Sequence, residues 1–154
     1  MIAAINPTNL HDLTKIIHVA ISVTFTLFAI LVITRSSVGL MQHKVYTKLD
    51  RNLSYAFIIS LYLQVILGIL LFSNLGALSG FDYLDAESGA RIVSKRLWPI
   101  EHIVTMIFAV LIASLGLLLS INARIDKDKH RKILIYFAIA ILLIGQSLFA
   151  IYVL

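Results

Sequence analysis

The sequence predicts an all-α integral membrane protein, an up-down bundle of four transmembrane helices in a single domain. Three observations predict it. The 154 residues are 60% apolar and only 14% charged, where a soluble domain carries about 25% charged residues. The mean hydropathy is +0.95. The charges also cluster, leaving uncharged runs at 16–34, 52–81, 102–123 and 133–154. Each run exceeds the ~18 residues that read as a spanning helix. Four spans leave no length for a soluble domain, and the expected helices cover about 13–34, 53–72, 99–121 and 133–153.

The first run is longer than the apolar core of a cleaved signal, and only Lys15 precedes it as a positive charge, so it reads as a retained span. Pro7-Thr8-Asn9 is a helix-start signal. His11, Thr14, His18 and Ser22 recur at three- and four-residue spacing and form one polar stripe. In lipid such a stripe faces protein.

Residues 35–51 form a basic connection. Helix 2 follows, with Tyr62, Gln64 and Gly68 near its middle. A buried Gln needs a partner, and Gly permits close helix approach. In the connection 73–96, Asn74, Gly76, Gly80 and Asp82 are turn formers, and 86–95 reads as a short interfacial helix.

Helix 3 is expected to begin at Pro99, where a missing N–H costs nothing. Glu101 then lies in the first turn, where the helix dipole favours an anion. His102, Thr105, Met106, Ala109, Ala113 and Gly116 share a face whose small residues read as helix packing. Residues 122–132 are basic again, and helix 4 carries Gln146 as its one strongly polar interior residue.

The connections after helices 1 and 3 hold nine Lys/Arg and three acids, against four Lys/Arg and five acids on the other side. The positive-inside rule places the basic connections in the cytoplasm. Both termini then face the periplasm of a bacterial inner membrane. The net charge of +5 follows from those loops rather than from nucleic-acid binding. The chain has no cysteine, which excludes disulfides, iron–sulfur clusters and thiolate-held metal within it.

Ionisable groups inside a membrane are costly and mark function. His18 and His102 fall at similar depth in helices 1 and 3, which run parallel in an up-down bundle. Diagonal helices in such a bundle stand roughly 13 Å apart. Two imidazoles reaching inward across that gap suit one shared iron, so His18 and His102 are the candidate axial ligands of a b-type haem. His11, His43 and His130 lie in tails or loops and read as solvated, and Met106 reads as core. Glu101 is the candidate proton acceptor beside a quinol headgroup. Trp98 suits an interfacial belt or the edge of a quinone.

Three fragments carry a family resemblance: Ile17-His18, the run Tyr62-Leu63-Gln64-Val65-Ile66-Leu67-Gly68, and Glu101-His102 followed by Met106. They resemble small bacterial four-helix membrane proteins related to, or labelled as, cytochrome b. The resemblance spans most of the chain and implies a respiratory setting, a haem b and contacts from helix 2 through Gln64 and Tyr62. Where that family often has a His two residues before the Gln, this chain has Tyr62, which leaves two histidines within the spans.

The expected function is therefore a haem-b-binding subunit of a respiratory, quinone-linked complex, embedded in the lipid bilayer beside larger membrane subunits. Alone it is no enzyme. A non-catalytic accessory subunit of such a complex is the alternative. A small four-helix transporter is the third reading, weakened because helix 1 has no embedded acid.

Overall fold

A computed structural model describes residues 7–79 and 90–153. Among the described residues there are four α-helices and no strand: α1 (Pro7–Met41), α2 (Lys48–Ser79), α3 (Ala90–Ile121) and α4 (Asp126–Val153). Each contains a stretch long and apolar enough to cross a membrane, namely Leu10–Met41, Lys48–Asn74, Pro99–Ile121 and Asp126–Ala150.

The helices outrun the apolar segments because hydropathy marks the part that lipid tolerates, whereas local hydrogen bonding sets where a helix stops. At the end of α1, His43 adopts φ 52°. The Lys44 N–H then donates to the Gly39 carbonyl at 3.0 Å. This is a Schellman closure with His at the position that usually holds Gly. At the start of α2, Thr47 and Asp50 form a capping box. The Thr47 N–H donates to Asp50 Oδ2 at 2.8 Å, and the Asp50 N–H donates back to Thr47 Oγ1 at 3.4 Å. At the end of α3, Lys132 Nζ donates to the Leu119 carbonyl at 3.1 Å, supplying a partner that the last turn lacks.

α3 corrects the expectation for its own start. It runs unbroken from Ala90, so Pro99 sits inside the helix and 90–95 belongs to α3 rather than to a separate interfacial helix. Pro99 has no N–H for the Lys95 carbonyl four residues back, so the ladder loses one bond there. The remainder of the expected interfacial helix, 86–89, lies outside the described residues.

α1 packs on α2 and α4, and α3 packs on the same two, so the helices close a ring with α1 and α3 on one diagonal. Phe57 of α2 bridges its core. Its ring lies 5.0 Å from that of Phe25 on α1 and 4.5 Å from that of Phe137 on α4. Such ring pairs contribute about 0.5–1.5 kcal/mol beyond the area they bury. Ala109, Ala113 and Ala140 are fully buried and let α3 and α4 approach closely. Val23, Leu27 and Ile30 of α1 and Leu111, Leu115 and Leu118 of α3 point outward. A surface of this kind suits a lipid bilayer.

Candidate functional site

The polar stripe of α1 faces protein. Thr14 is buried, and its hydroxyl donates to the Leu10 carbonyl at 2.8 Å. The Ser22 hydroxyl donates to the His18 carbonyl at 2.9 Å. Gln64 of α2 is 4% exposed. Its Nε2 donates to the same His18 carbonyl at 3.2 Å and to Ser22 Oγ. Ser22 of α1 itself and Gln64 of α2 thus both bond the turn that carries His18. The need of a buried amide for partners fixes α1 against α2 at that level.

One turn further along α2, Gly68 faces the imidazole. A Cβ there would stand 4.0 Å from His18 Cε1, in ordinary contact. On the far side, His102 of α3 has its Nδ1 2.9 Å from Ser147 Oγ of α4. An imidazole held through one nitrogen by a hydroxyl is the arrangement that orients ligand histidines. His18 Nδ1 is buried without a hydrogen-bond partner.

The two histidines line one cavity of about 370 Å³, with His11, Lys15, Gly68, Phe72 and Pro99 among its other walls. That volume lies within the ~300–1,000 Å³ usual for small-molecule and cofactor sites. Among the described residues the lining is apolar except for three histidines and one lysine, with no acid among them. Such a space accepts a largely apolar ligand that carries groups able to bond an imidazole or an ammonium. His11 corrects its reading as a solvated tail residue. It is half-buried, and its Nδ1 lacks a partner. Its position seven residues before His18, two turns up the same stripe, was the available signal.

The other candidates lie elsewhere. Glu101 is exposed and opens on a separate groove of about 190 Å³ between α3 and α4, beside Thr105, Gln146 and Ser147. Adjacent residues on a helix cannot share a face, so Glu101 and His102 address different spaces. Ser147 touches both, as partner of His102 and wall of the Glu101 groove. Gln146 is exposed rather than interior. Tyr62 is 47% exposed and bonds Ser114 Oγ of α3 at 3.2 Å, outside the two-histidine cavity. Gln64 acts on the cavity only through α1. The side chain of Trp98 lies outside the described residues. Met106 is buried core.

At the opposite end, Arg35 of α1 meets Asp50 of α2, with Nε 2.6 Å from Oδ1. His130 corrects its reading as a solvated loop residue. It lies in the first turns of α4, 1% exposed, with its ring 5.0 Å from that of Tyr46 in an edge-on contact. Neither ring nitrogen has a partner. A Cβ on Gly39 would fall into that imidazole, so glycine is what lets α1 pass it. Burial holds the Tyr46 hydroxyl above its ordinary pKa.

Fold and cavity together define a four-helix protein with bilayer-length helices and a histidine-lined cavity near one end. No family model, curated protein or solved structure matches the chain.

Proposed function

We propose that the chain is an up-down four-helix subunit of a respiratory, quinone-linked complex in a bacterial inner membrane, and that it holds haem b between His18 and His102. One observation carries this reading: imidazoles from the two diagonal helices line one cavity of about 370 Å³. The hydrogen bond between His102 Nδ1 and Ser147 Oγ supports it by orienting that ring, and the bonds of Gln64 and Ser22 to the His18 carbonyl support it by fixing the backbone turn that carries the other imidazole. A haem held there would supply one-electron redox chemistry. Lys15 and His11 offer a cation and a donor to the carboxylates that such a group bears. Glu101, exposed on its separate groove, is the carboxylate that would take a proton from a quinol.

The up-down course is supported by the cavity walls. They come from the early part of α1 and of the α3 span, and from the late part of α2 and α4. With basic connections in the cytoplasm, the cavity lies toward the periplasm. Reporter fusions at Lys48 and Lys127 should then read cytoplasmic and one at Glu87 external; the reverse pattern would move the cavity to the cytoplasmic face.

The deciding experiment is a reduced-minus-oxidised visible spectrum of the purified protein. A b-type α band is expected, lost in His18→Ala and in His102→Ala and kept in Tyr62→Phe. Low-spin haem retained in either histidine variant would reject this ligand pair. A flat spectrum, with copurification of larger respiratory subunits that survives high salt, would favour the accessory-subunit reading, which rests on the outward apolar surface.

A further inference from the structure

The second cavity, at the end of the bundle opposite the two histidines, is a cleft of about 360 Å³. Its walls come from four segments: Thr34, Arg35 and Gly39 of α1, Lys44 and Val45 of the following connection, Asp50 at the base of α2, and His130 of α4. Arg35 spends its Nε on Asp50. A guanidinium carries further donors in a planar fork, so the terminal nitrogens can serve a second partner. Asp50 already accepts from Arg35, from the Thr47 N–H and from the Thr47 hydroxyl. Its charge is therefore spoken for. Lys44 makes no ion pair among the described residues.

His130 is the independent observation. A neutral imidazole always has one N–H that needs an acceptor. Here the side chain is 1% exposed, lines the cleft and has no partner at either nitrogen. A cleft with an extra positive charge and a buried donor lacking an acceptor asks for an anion. Val38 and Val45 add apolar wall, and Met41, Val45 and Leu49 stand exposed around the same end. A free inorganic ion has no use for that apolar rim. A lipid, whose acyl chains begin beside its phosphate, does.

We propose that this cleft binds the phosphate of an anionic phospholipid headgroup, with Lys44 and Arg35 as cations, His130 as buried donor and the apolar rim receiving the start of the acyl chains. The site is independent of any haem at the other end. It anchors the junction of α1, α2 and α4 to one leaflet.

The test uses the full chain purified in mild detergent and native mass spectrometry with added lipid. Phosphatidylglycerol should bind in preference to phosphatidylcholine of the same acyl chains. Lys44→Gln should weaken phosphatidylglycerol binding about fivefold, the effect of one basic residue at an anionic surface. Lys127→Gln, a basic residue of the same end that does not line the cleft, should leave it unchanged. His130→Leu should also weaken phosphatidylglycerol binding, and if that variant fails to fold, the two lysine variants still decide. Equal binding of both lipids, or equal effects of Lys44→Gln and Lys127→Gln, would overturn the proposal by reducing it to general surface charge. Inorganic phosphate that displaces phosphatidylglycerol at matched concentration would likewise overturn it, identifying the occupant as a soluble ion.

Discussion

The two ends of the bundle hold cavities of similar volume, about 370 and 360 Å³, but are assembled by different forces. At the histidine end the polar contacts are hydrogen bonds between neutral groups of neighbouring helices: Gln64 to the His18 turn, and His102 to Ser147. At the other end they are an ion pair and helix caps, where α1 closes and α2 begins. The first set orients side chains toward a space. The second set fixes where helices stop. Removing a contact should therefore disturb side-chain orientation at one end and fold stability at the other.

Asp50→Ala should give the largest loss of stability. It removes the carboxylate opposite Arg35 and half of the capping box. Breaking a well-buried pair costs about 3–5 kcal/mol and a lost cap about 1 kcal/mol. The Arg35 side chain is 40% exposed, so a total of about 2–3 kcal/mol is expected, read from unfolding in mixed detergent. A loss under about 0.5 kcal/mol would erase the contrast between the ends.

A pair of identical substitutions sharpens it next. Gly116→Ala would drive a Cβ into Tyr136 at its Cβ and Cγ, backbone-near atoms that cannot swing away. It should cost about 1–3 kcal/mol. Gly68→Ala meets only His18 Cε1 at 4.0 Å and should be nearly neutral for unfolding. Equal costs would mean that the His18 side of the bundle is as tightly closed as the α3–α4 seam.

Ser147→Ala should cost about 1 kcal/mol, the usual net value of one hydrogen bond. It should also free His102 to reorient, seen as a shifted imidazole nitrogen resonance. An unchanged resonance would break the claim that Ser147 positions this ring. The smallest effect is a gain. His43 holds φ 52° at the end of α1, a conformation that costs a residue with a Cβ roughly 1–2 kcal/mol. His43→Gly should raise stability by up to about 1 kcal/mol in the same unfolding assay, and a loss would show that the His43 side chain has a structural role.

Part of what the fold uses is legible in the sequence alone. Thr47 and Asp50 have the spacing of a capping box, a motif visible without coordinates. His130 was hidden by its charged neighbours Lys129, Arg131 and Lys132. Yet it stands three, seven and ten residues before Ile133, Phe137 and Ala140, all fully buried. That spacing puts it on the inner face of α4. Sequence alone groups Glu101 and Tyr62 with the histidines, but the helical phase of each directs it to another surface.

By itself the sequence determined four helices long and apolar enough to cross a membrane, because each needs only a local property, an uninterrupted apolar run. It also determined that the stripe of His11, Thr14, His18 and Ser22 shares one face, because 3.6 residues per turn is a local rule. Only the tertiary structure decided that Ser147 serves His102, that Gln64 serves His18, and that Gly39 makes room for His130. Those pairs join helices distant in the chain. Their meeting depends on the rotation and depth at which each helix packs, quantities set by the sum of many side-chain contacts rather than by any one stretch of residues.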